Sequence, residues 1–159
     1  MISDKRTTFA EGVALNTGAA GTYTVGDQID IGNVRDLGGD QAPMLVIQVG
    51  AAGINAAGAG TVQFKLTSAD NAALTTNPVD HLMTAAIVTS TTSGNAGGAL
   101  APGKRLLAVQ LPLEGDTPYK RYVGIRQVTG AQAITAGSFD AFLVLDANSW
   151  KAYDAPFQA

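Results

Sequence analysis

Glycine-rich and turn-forming stretches interrupt this sequence so often that nothing between them holds a helical period for even ~10 residues, and this limits the available folds more than any other feature. The connectors are Gly38-Gly39-Asp40, Gly50 to Gly60, Ser68 to Asn77, Ser93 to Gly98, Pro112 to Pro118 and Thr129 to Gly137. Within a helix, each glycine costs roughly 1 kcal/mol relative to alanine. With 19 glycines in 159 residues, strands joined by turns suit the chain better, and the spacing predicts an antiparallel β-sandwich or barrel.

Individual strands can be read from the pattern of apolar residues. Val62-Gln63-Phe64-Lys65-Leu66 alternates, which puts Val62, Phe64 and Leu66 on a buried face and Gln63 and Lys65 towards water. Met44 to Val49 and Leu106 to Leu111 are short aliphatic runs bounded by Gly or Pro. Such runs fit strands covered on both faces, either central in a sheet or at a protein interface. Further strands are expected over Tyr23 to Ile31, Leu82 to Thr89, Tyr122 to Val128 and Ser138 to Leu145, with an eighth near Phe9 to Leu15. Asp70 to Leu74 is long enough for one helical turn. The low-complexity stretch Ala51 to Gly60 reads as a flexible strand connection in preference to a binding loop.

A chain of this length suits one domain, and it can bury a core without disulfides or a structural metal. The absence of cysteine excludes thiolate metal sites, thiol nucleophiles and disulfide staples. Lysine and arginine number 10 against 13 acidic residues, and the basic pairs Lys5-Arg6, Lys104-Arg105 and Lys120-Arg121 are scattered. A nucleic-acid reader would show a basic stripe, so no nucleic-acid partner is expected. The two long uncharged stretches, Gln41 to Phe64 and His81 to Gly103, are broken by polar residues and glycine, so neither is expected to cross a membrane. The start, Met1-Ile2-Ser3-Asp4-Lys5-Arg6, has no apolar segment behind its charges, which predicts synthesis in the cytoplasm without a secretory signal.

No catalytic constellation emerges. His81 is the sole histidine, which excludes sites needing several imidazoles. Its neighbour Asp80 should point to the opposite strand face, so the two need not cooperate. There is no nucleophile elbow or phosphate loop, and Gly58-Ala59-Gly60 lacks the rest of a dinucleotide fingerprint. Carboxylates such as Asp36 with Asp40, or Glu114 with Asp116, lie in turns, where they are usually solvated. Asp146-Ala147-Asn148-Ser149 starts like a calcium loop but lacks its glycine and distant glutamate. The expectation is therefore no enzyme, no cofactor, no metal and no small-molecule substrate.

The two ends are unusual. Ile2 and Phe9 lie in a charged segment before the first confident strand, and Trp150, Tyr153 and Phe157 follow the last. Free termini rarely carry such large apolar groups. Either the ends fold back over the sandwich, or they form an N-terminal arm (about residues 1–10) and a C-terminal tail (about 147–159) that grip a neighbour. On the second reading Ile2, Phe9, Trp150, Tyr153 and Phe157 are the partner contacts.

In order and spacing, several stretches resemble the cement proteins of tailed-phage heads, in particular the family typified by the cement protein of a short-tailed Bordetella phage. These are Met1-Ile2-Ser3-Asp4-Lys5, Asn33-Val34-Arg35-Asp36-Leu37-Gly38, Gly60 to Asp70, Pro102-Gly103-Lys104-Arg105 and Gly137 to Asp146. The resemblance implies a jelly roll of about eight strands spanning residues 1–159. It also implies a place on the outer surface of the virion capsid, where the protein bridges major capsid protein subunits as a decoration protein. Other copies of the chain are expected partners, as a dimer in preference to a trimer. The alternative is a carbohydrate- or receptor-binding jelly-roll module of a virion surface or tail. Sugar sites favour exposed aromatic residues, and aromatics make up 6% of this chain, which weighs against that alternative.

Overall fold

The computed structural model describes residues 7–32, 42–91, 100–112 and 117–145. Its strands are β1 (Thr8–Ala14), β2 (Gly21–Asp30), β3 (Met44–Ala56), β4 (Thr61–Ala69), β5 (Val79–Met83), β6 (Ile87–Val88), β7 (Arg105–Gln110), β8 (Tyr122–Gly130) and β9 (Ile134–Val144). Every pairing between them is antiparallel. Sheet A has the order β1-β9-β3-β7, and sheet B has the order β2-β8-β4-β5 with β6 also paired to β4. The chain passes repeatedly from one sheet to the other, so that early and late strands interleave; this is the winding of a jelly roll. The expected fold is what the structure shows: all-β and two layers, with eight principal strands and the two-residue β6 among the described residues.

Alternation places the core. From sheet A, β3 contributes Leu45, Ile47, Val49 and Ile54, β9 contributes Phe139 and Ala141, and β1 contributes Phe9 and Ala10. From sheet B, β4 contributes Val62, Phe64 and Leu66, the face expected from its sequence, and β8 contributes Val123 and Ile125.

Elsewhere the structure departs from the sequence expectations. β3 continues through most of the small-residue stretch read as a connector: past an irregularity between Val49 and Ile54, Ile54 pairs with Gly137 and Ala56 with Ile134. Ile54 and Ala56 are buried, and two inward apolar side chains are enough to keep a glycine-rich segment on the sheet. The expected strand over Leu82 to Thr89 divides into β5 and β6, both paired to β4. β7 is not central but lies at an edge of sheet A.

In place of the helical turn offered by Asp70 to Leu74, the chain makes a non-helical turn closed by Leu74 N–H donating to the Asn71 carbonyl at 3.0 Å, with Leu74 at a φ of +56°. It folds onto the outer face of sheet B. Leu74 is fully buried there against Gly124, where an added Cβ would meet the Leu74 Cδ1 at 2.9 Å.

Candidate docking surface

Of the residues proposed from sequence as partner contacts, Phe9 is corrected by the structure. It is 0% exposed in the core, on a strand that begins at Thr8, so it belongs to the sandwich and not to an arm. The charged residues around it hide the strand, and irregular pairing between Thr8, Ala10 and Val13 disrupts its alternation. β1 also packs against the other sheet. Gly26 of β2 adopts a φ of +75°, and any Cβ there would collide with the Phe9 carbonyl oxygen. Ile2, Trp150, Tyr153 and Phe157 lie outside the described residues.

The chain places a second apolar cluster outside the core. Leu45, Ile47 and Val49 point inward from β3, so Met44 and Val46 point outward. Val46 pairs with Phe142 on β9 and Ala108 on β7, and Met44 pairs with Val144 on β9. Together these five side chains form a strip on the outer face of sheet A. Val46 is 0% and Phe142 7% exposed, while Met44, Ala108 and Val144 are half-buried. The start of β1 and the end of β9 both lie beside the strip: Thr8, where β1 begins, pairs with Phe142, and β9 ends at Val144. The aliphatic sequence of Met44 to Val49 did signal burial on two faces. The location of the strip needed the register.

β7 supplies a different surface. It is the last strand of sheet A, and Val109 on it is 40% exposed. Its outer backbone N–H and C=O groups have no strand partner among the described residues, and such an edge is a template for another strand.

Three ion pairs form among the described residues. Arg121 donates two hydrogen bonds to Asp30, at 3.0 and 2.9 Å, and these hold the Asp30 carboxyl below its ordinary value. Lys120 Nζ lies 3.4 Å from Asp70, and Lys65 Nζ lies 2.7 Å from Asp80. Two of the basic residues singled out from sequence, Lys120 and Arg121, thus sit in ion pairs.

Asp80 and His81 diverge as strand alternation requires. Asp80 accepts from Lys65 at 2.7 Å and Thr67 at 2.6 Å. Burial raises its carboxyl, but these hydrogen bonds and the nearby cations outweigh burial and leave it below the ordinary value. On the other side, His81 Nε2 lies 2.7 Å from Ser68 Oγ, and its ring stacks on Tyr119 at 3.9 Å. Ser68 Oγ also accepts from the Lys120 backbone N–H at 3.0 Å. Ser68 is 0% exposed, so no substrate can reach its oxygen, and the serine–histidine pair fastens the segment before β8 to β4 and β5. Burial pushes the His81 imidazole below its ordinary value, with Asp80 acting in the opposite direction. Among the described residues, no three His, Asp or Glu side chains gather in a way that could hold a metal ion.

Compared with known families, residues 9–143 match the family described as Bbp16, named for a Bordetella phage protein. No curated protein matches the sequence. The matched segment runs from β1 to β9, the length of the jelly roll.

Proposed function

The chain belongs to the Bbp16 family, and on that premise we propose that it is a structural protein of a phage particle, bound to the outside of the head, where it bridges major capsid protein subunits and cements the shell. The family match carries this reading. The sandwich supports it physically, because two hydrogen-bonded sheets sharing one packed core resist separation as a unit. A clamp that binds the assembled shell better than free subunits stabilises the assembly by linkage, and many modest contacts on one particle reinforce each other.

Copies of the chain also associate with one another on the shell, as dimers in preference to trimers. The β7 edge, with its open backbone and the exposed Val109, is the surface we assign to that contact.

Counting copies in purified particles tests the reading. A cement protein should be present in hundreds of copies, released from the head without loss of the major capsid protein, and should rebind to heads that lack it. A few copies confined to the tail, together with binding to glycans, would instead identify a receptor-binding module.

A further inference from the structure

We propose that His81, Ser68 and Lys120 form a proton-controlled latch: uptake of a proton at His81 Nε2 releases the segment 117–121 from Ser68 and, through Lys120, loosens the surface loop 70–77. The hydrogen bonds around one buried oxygen carry this. Ser68 Oγ accepts from the Lys120 backbone N–H at 3.0 Å and lies 2.7 Å from His81 Nε2. The arrangement that uses every group has the Ser68 hydroxyl donating to an unprotonated Nε2, which puts the ring hydrogen of neutral His81 on Nδ1. A proton taken from solvent can then add only at Nε2, and the new N–H meets the hydroxyl donor head to head. The hydroxyl has to turn away within a site where Ser68 is 0% exposed and has no second acceptor among the described residues. A buried donor left unmet is costly, and an outward swing of the segment 117–121 relieves it by admitting water.

Lys120 carries the release to the surface. Its Nζ donates to the Asn77 carbonyl at 2.7 Å and lies 3.4 Å from Asp70 Oδ2, so the residue whose backbone hangs on Ser68 also clamps both ends of the loop. Within the loop, Asn71 Oδ1 accepts from the Thr75 and Thr76 N–H groups at 2.9 Å. The charged and titratable neighbours of His81 do not cancel the effect. Asp80, on the same strand, favours the proton but is engaged by Lys65 and Thr67. On the facing segment, Lys120 is engaged by Asp70 and Asn77 and Arg121 by Asp30. The Tyr119 phenol, stacked on the imidazole at 3.9 Å, stays neutral where histidine titrates. Burial makes the closed His81 harder to protonate than a free histidine, so acid favours the open form.

Amide hydrogen exchange on the free, full-length protein tests the latch. Protection factors remove the intrinsic pH dependence of exchange. That of the Lys120 amide should fall about tenfold between about pH 7 and 5, and those of Thr75 and Thr76 should fall with it. In low urea these amides should keep their rates while those of the central strand β3 accelerate, because a local opening exposes little surface. Two variants bracket the mechanism. His81→Gln keeps an acceptor for Ser68 without a basic nitrogen and should hold the Lys120 amide protected at both pH values. His81→Phe leaves the hydroxyl unmatched and should lower that protection at both. In Lys120→Met the backbone bond to Ser68 remains, so the amide at position 120 should keep its pH response while Thr75 and Thr76 lose theirs. Four results would each overturn the proposal: Lys120 protection unchanged over this range, a urea response equal to that of β3, a pH response that survives in His81→Gln, or loop amides that do not follow Lys120. No phage head is involved, so the outcome is independent of whether the protein cements a shell.

Discussion

Phe64 of β4 and Phe139 of β9 stack across the space between the two sheets, with ring centroids 5.2 Å apart and planes inclined by 26°. Both are 0% exposed, and each is flanked by core residues of its own sheet, so the contact ties the layers at their centre. Truncating either ring removes its transfer free energy and leaves a cavity that rigid strands fill poorly. Phe64→Ala or Phe139→Ala should each cost about 3–5 kcal/mol in denaturant unfolding, and the double variant should cost less than the sum because the two rings share one contact. Full additivity would mean that the rings act independently.

His81 gives the fold a pH dependence of known sign. Burial holds its imidazole below the ordinary 6.5 in the folded chain, whereas the unfolded chain takes up a proton near that value. The contribution is therefore complete above the unfolded value and is lost as pH falls towards and past the folded one. The melting temperature should drop between about pH 7 and 5, the range in which histidine titrates. Asp80, held below 3.8, can contribute only at more acid pH. His81→Phe keeps a ring against Tyr119 but has no proton to gain, so its melting temperature should be flat over the same interval. Once folded, this variant should occupy phage heads as well as the wild type; loss of occupancy would assign His81 a role in binding.

Gly26 is predicted to be the least replaceable glycine in β2. Its φ of +75° is unfavourable for any residue with a Cβ, and such a Cβ would also meet the Phe9 carbonyl oxygen across the sandwich. The conformational term alone costs about 1 kcal/mol, and the collision is with backbone, which cannot rotate away. Gly26→Ala should lower stability by about 2 kcal/mol or more, while Gly12→Ala, with a similar φ but no atom within 4 Å, should lose only the smaller conformational share. Comparing the two midpoints in urea separates the terms.

The open edge of β7 is expected to mediate contacts between copies. A lysine in place of Val109, which is 40% exposed, should leave the monomer fold intact and reduce cross-linking between copies on intact heads. Such charges on a sheet edge discourage strand addition. Unchanged cross-linking would move the contact away from β7.

The local pattern of the sequence was enough to fix the class of fold and most strand positions. Alternation in Val62 to Leu66 gave the inner face of β4, and the density of glycine-containing turns excluded long helices. The separation of Asp80 from His81 also follows from alternation, since neighbouring strand residues point apart whatever the tertiary setting. The docking strip was half legible: the continuous apolar run Met44 to Val49 requires cover on both faces, but not by any particular neighbour.

Only the tertiary structure decided which polar residues go inside and which apolar ones do not. Gln127 is fully buried because the backbone at Asn16 needs partners: Gln127 Oε1 accepts from the Asn16 N–H and its Nε2 donates to the Asn16 carbonyl, both at 2.9 Å. That pairing spans 111 residues of sequence, a distance over which no local pattern carries information. β7 lies at an edge, although its sequence resembles that of the central β3, because strand order is set by how the whole chain winds between two sheets. Phe9 joins the core and not a free arm for the same reason, since β1 pairs with β9 from the other end of the chain. Periodicity and turn chemistry act over a few residues and are written into the sequence, whereas register and burial depend on contacts between distant segments and exist only once the sheets have closed on each other.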